Sequence, residues 1–134
     1  MLNERITIGP FGIFFTNVNR QMSIPGHSHY AKVWITFKTM PAEAGSPPVG
    51  FPAFEETYKV ISDALRGLCL RPFRDATNEV VARRIFEMVE SIDSPVINNW
   101  GGAYALSKLV LGVQGVLDSI GHADGMTMYE ISAP

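Results

Sequence analysis

Cysteine is nearly absent from this chain: Cys69 is the only one in 134 residues, so no intrachain disulfide can form, and a reducing cytoplasm is the expected compartment. The start, Met1-Leu2-Asn3-Glu4-Arg5, also lacks the charged-then-apolar layout of a secretory signal. Charge is sparse, at 18% of residues with a net charge of −2 and a pI near 5.9. That balance supplies none of the basic field that drives binding to DNA or RNA, so nucleic acid is not an expected partner. No apolar run is long enough for a membrane span, which needs about 20 apolar residues. The most hydrophobic stretch, Ala103 to Leu117, is broken by Ser107, Lys108, Gly112, Gln114 and Gly115. A glycine-rich phosphate loop, a nucleophile elbow and a paired-cysteine zinc pattern are all missing.

What is present is apolar. Hydrophobic residues make up 46% of the sequence and the mean hydropathy is +0.10, as in a globular domain with a large buried or subunit-covered surface. The length suits a single domain over residues 1–134, and no internal repeat divides it.

Two segments alternate at the strand period. Ile6, Ile8, Phe11, Ile13 and Phe15 recur at spacing two apart from a break at Gly9-Pro10, which predicts a strand with a bulge. In Tyr30 to Lys38, Ala31, Val33, Ile35 and Phe37 take one face, while Lys32, Thr36 and Lys38 share the other with Tyr30 and Trp34. One buried and one wetter face predict an antiparallel sheet, with these two strands pairing across residues 16–29. Met40 to Pro52, with four prolines and two glycines, is a loop. It leads into a helix with Phe54, Tyr58, Ile61, Leu65 and Leu68 at helical spacing, Pro52 suited to its first turn and Gly67 to its stop. A second helix opens on Thr77 as the capping residue, with Val81, Ile85, Met88, Val89 and Ile92 inward and Arg83, Arg84, Glu87 and Glu90 outward. After a short extended piece over Pro95 to Trp100, Leu106, Val110, Val113, Leu117 and Ile120 predict a third helix. Met126 to Ile131 alternates again as a last strand. The grouped helices predict an α+β fold, an antiparallel sheet with helices packed on one face and an extra C-terminal helix.

Three clusters could carry chemistry. His27 and His29, two apart in extended backbone, point the same way and could share a metal, although a catalytic zinc takes three protein ligands and His122 lies far along the chain. The alternative is a polar loop before a strand. Glu130 alternates with Met126 and Met128 and so places a carboxylate on an apolar strand face, where it either accepts the paired N–H donors of a heterocycle or reaches solvent at the strand end. Arg66, Arg71, Arg74, Arg83 and Arg84 gather five of the seven arginines, either to receive an anion or as a solvated face paired with Asp75, Glu79 and Glu87. Cys69, between Leu68 and Leu70, reads as a small buried hydrophobe.

Taken in order, these pieces resemble the family of 6-pyruvoyl-tetrahydropterin and 6-carboxy-tetrahydropterin synthases, of the tunnelling fold. The resemblance rests on Phe15 to Arg20, on Gly26-His27-Ser28 running into the strand to Phe37, on Gly50-Phe51-Pro52-Ala53-Phe54, and on Ala76-Thr77-Asn78-Glu79. Glu130 in Met128-Tyr129-Glu130-Ile131 resembles the family's closing glutamate, which anchors the pterin. The departures fall on the chemistry: Asn19 stands where the family has its first zinc histidine, and Pro25-Gly26-His27 where it has His-Gly-His. A shift of two recovers His27 and His29 as a pair. Gln21-Met22-Ser23-Ile24 holds no counterpart of the catalytic cysteine, and Arg66-Gly67 replaces an Asp-His pair.

The resemblance implies a planar, pterin-like ligand, bound or acted on by His27, His29 and Glu130, with Asn19, Ala76 and Thr77 lining the site, in a homo-oligomer. No cofactor is implied with a full ligand set; zinc on His27 and His29 with an atypical third ligand such as His122 is one alternative. A non-catalytic scaffold or partner-binding protein is another. Without zinc the family reaction would lose a Lewis acid that contributes several kcal/mol to transition-state stabilisation.

Overall fold

A computed structural model describes residues 5–18, 27–39, 54–74, 76–92, 104–114 and 126–133. They form strands β1 (Arg5–Val18) and β2 (His27–Thr39), helix α1 (Phe54–Cys69), strand β3 (Phe73–Arg74), helix α2 (Asn78–Glu90), and strands β4 (Tyr104–Gln114) and β5 (Met126–Ser132). The strands make one sheet in the order β3-β1-β2-β4-β5. All its pairings are antiparallel except the two-residue match of β3 with the end of β1. The α+β architecture expected from the sequence is therefore present, with a short parallel strand that two residues gave no periodicity to announce.

Alternation sets the core. Ile8, Phe11, Ile13 and Phe15 of β1, Ala31, Val33, Ile35 and Phe37 of β2, and Leu109, Leu111 and Val113 of β4 are all buried on the face that the helices cover. From α1, Ile61 and Leu65 enter this layer, and Tyr58 stacks on Phe11 at 4.5 Å between ring centroids. From α2 come Val81, Ala82, Ile85 and Val89, one helical stripe, while Arg83, Arg84, Glu87 and Glu90 face water. The bulge falls where the sequence placed it: the β1–β2 register shifts between Ile8 and Phe11, with a cis peptide at Gly9-Pro10.

Thr77 caps α2, its hydroxyl accepting a hydrogen bond from the Val80 N–H at 3.3 Å. Thr77→Ala will therefore lower stability by about 1 kcal/mol and Thr77→Ser will retain most of it, read as a change in urea midpoint at constant slope. Gly67 does not stop α1, which runs on to Cys69.

The described residues of the expected third helix do not form one. Residues 104–114 are β4, a strand paired with β2 on one side and β5 on the other. An interior strand with apolar residues on both faces reads as a continuous hydrophobic run, and such a run does not tell a strand from a buried helix by periodicity. Leu117 and Ile120, and the extended piece expected over 95–100, lie outside the described residues. Among the described residues no helix is long and apolar enough to cross a membrane.

Candidate functional site

The two faces of the sheet separate the residues singled out above. His29 lies opposite Phe15 in the β1–β2 register, on the helix-covered face; it is half-buried, and its ring sits 5.3 Å from that of Phe15. Phe15 in turn meets Phe73 edge-on at 5.9 Å, and the Arg84 guanidinium lies over Phe73 at 5.5 Å. Beside them, Asn17 donates from its side-chain amide to the carbonyl of Ala76, just before the α2 cap. Thus Ala76, next to Thr77, meets the Asn17 end of β1. The Asn17 Oδ1 is buried without a hydrogen-bond partner. No spacing or motif singles out Asn17, because only its bond to the chain just before α2 makes it structural. His27 takes the register position opposite Asn17; its side chain, Asn19 and His122 lie outside the described residues.

Glu130 is on the other face. It follows Tyr129, which packs toward the core and accepts from the Asn78 side-chain amide at 3.3 Å. Alternation along β5 turns Glu130 the opposite way with Met126 and Met128, as the sequence spacing predicts. Its side chain is 59% exposed, and its carboxylate sits 3.5 Å from the Lys108 ammonium. Within one chain it therefore shares no cleft with His29. The reason is register: odd-numbered β2 residues and even-numbered β5 residues fall on opposite faces once β4 is threaded between them.

The open face around Glu130 is flat. A Cβ added at Gly9 would lie 3.1 Å from Trp34 Cδ1, and one added at Gly112 would lie 3.3 Å from Trp34 Cζ3 and 2.9 Å from Met128 Sδ. The indole therefore lies along the sheet between two glycine positions, with Met128 beside it. Tyr30 crosses Gly12 in the same way and meets Phe14 at 5.0 Å. Lys32, Lys38 and Lys108 are half-buried on this face, and Thr36 is buried there against Thr7, hydroxyl to hydroxyl at 2.8 Å.

A catalytic zinc needs three protein ligands, and no three His, Cys, Asp or Glu side chains gather among the described residues. With His29 tilted against Phe15 and Glu130 across the sheet, the described donors do not fit such a centre. The arginines at 66, 71, 74, 83 and 84 are exposed. Cys69 is half-buried, and burial pushes its thiol pKa up, which keeps it protonated and a poor nucleophile at neutral pH.

No family model and no curated protein matches the chain. Among solved structures it is similar to 6-pyruvoyl tetrahydropterin synthases along nearly its whole length. The enzyme from Plasmodium vivax shares 8% identity at a TM-score of 0.46, covering 99% of this chain and 100% of the other. That from Plasmodium falciparum shares 8% at 0.47, covering 98% and 99%. A catalytic-residue mutant of the Plasmodium vivax enzyme shares 9% at 0.46, covering 99% and 100%.

Proposed function

We propose that this protein binds a small, flat, polar heterocycle of the pterin kind on the open face of its sheet, with Glu130 accepting paired ring N–H donors and Trp34 supporting the ring. One observation carries this reading: Trp34, Val110 and Glu130 form a single cross-strand row, Trp34 opposite Val110 and Val110 opposite Glu130. Neighbouring strands lie about 4.8 Å apart, so the indole-bearing and carboxylate-bearing strands are separated by about 10 Å. A fused two-ring system lying over Val110 spans that interval. A carboxylate matches two adjacent N–H donors as it matches a guanidinium, and an aromatic floor favours an offset stack.

A ligand there is out of reach of His29 within one chain. Acid–base chemistry by His27 and His29 on such a ligand would need those residues from a second copy. A homo-oligomer is accordingly part of the proposal, and two open edges support it. Among the described residues β1 is paired on its outer side only at Asn17 and Val18, and β5 has no outer neighbour.

Thermal unfolding with a panel of pterins and other fused-ring heterocycles tests the reading. A ligand at about 100 times its Kd adds about 2.7 kcal/mol of stability, so a clear rise in midpoint is expected for at least one pterin, lost in Glu130→Gln. No rise with any of them, or an equal rise in the variant, would remove the proposal.

A further inference from the structure

A cavity of about 290 Å³ opens between the outer edge of β1 and the last turns of α1, on the side of the sheet farthest from β5. Its walls include the buried side chains of Phe11, Ile13 and Leu65. Among the described residues two polar side chains line it, Ser62 and Arg66, and no carboxylate does. Phe14 and Leu70, 69% and 79% exposed, also line it. They are two of the three exposed large hydrophobic residues among those described. Apolar side chains held in water around a cavity mark a surface that something covers, and this volume, at the lower end of ligand pockets, suits a small molecule. Arg66 forms no ion pair among the described residues, so its guanidinium is available to a carboxylate, which it matches with two parallel N–H donors.

From this juxtaposition we infer a second ligand site: the β1–α1 cavity takes a small monocarboxylate with an apolar body, the body against Phe11, Ile13 and Leu65 and the carboxylate on Arg66 with Ser62 alongside. The site is independent of the Glu130 reading, since it uses none of the same residues and lies beside β1, with β2 and β4 between it and β5.

Cys69 lines the same cavity and, as the only cysteine, reports on its occupancy. The test is the rate at which iodoacetamide alkylates the full chain, followed by whole-protein mass, with octanoate as probe and octan-1-ol as its uncharged counterpart. Thermal unfolding under the same conditions is the second reading. Octanoate is expected to slow alkylation and raise the unfolding midpoint. Octan-1-ol, and octanoate with Arg66→Gln, should need about tenfold higher concentration for the same effect. Three results would overturn the site: no effect of octanoate on either reading, an equal effect in Arg66→Gln, or protection that follows protein concentration instead of octanoate. The last would mean that a second copy of the chain fills the cavity.

Discussion

Gly9→Ala is expected to destabilise the fold by about 2–4 kcal/mol. Gly9 has φ +145°, a backbone region that side chains rarely adopt, and a Cβ there would stand 2.7 Å from the Val33 carbonyl oxygen and 3.1 Å from the Trp34 Cα. Both obstacles are backbone atoms of the central strand β2, which cannot move aside without disturbing the pairings on each side of it. Gly67 is the internal control: it lies in the last turn of α1 with nothing within 4 Å of an added Cβ. Gly67→Ala should therefore gain about 0.5–1 kcal/mol from helix propensity. Urea unfolding of the two variants should move the midpoint in opposite directions. A Gly9→Ala protein within about 0.5 kcal/mol of wild type would mean that the bulge is not built as described.

Leu111→Ala should cost about 3 kcal/mol, within the usual range for a leucine truncated in a closed core. Leu111 is fully buried in β4, opposite Val33 on one side and Tyr129 on the other. Val110, on the open face, is only half-buried, and Val110→Thr should change stability by less than about 1 kcal/mol. This ranking separates a strand from a helix over residues 104–114. A helix facing the core through Leu106, Val110 and Val113 would make Val110 the costlier position.

Strand β4 marks where the sequence stops being informative. Strand β2 announces itself because charged and aromatic residues alternate with Ala31, Val33, Ile35 and Phe37, and α2 because Thr77 precedes a clean stripe. In β4 the open face carries Val110 and Gly112 beside Lys108, so it looks almost as apolar as the buried face, and the alternation disappears. The effect reaches the candidate site. The two-residue spacing of Met126, Met128 and Glu130 was enough to put those three side chains on one face of β5. Which residues of the rest of the sheet share that face depends on the strand inserted between β5 and β2. Without β4 as a strand, the row Trp34–Val110–Glu130 cannot be seen, and nothing in the spacing sets Glu130 and His29 on different faces of the sheet. The β1–α1 cavity was illegible for a related reason. Its walls come from segments about 50 residues apart, and only the crossing of helix and strand makes them neighbours.

The proposal that Trp34 and Glu130 grip one flat ligand is tested most directly by tryptophan fluorescence in a Trp100→Phe background, where Trp34 is the only indole. Titration with neopterin should quench that emission along a saturable curve, and Glu130→Gln should shift the curve to about tenfold higher concentration or beyond. An emission that ignores neopterin, or a curve that Glu130→Gln leaves in place, would contradict it.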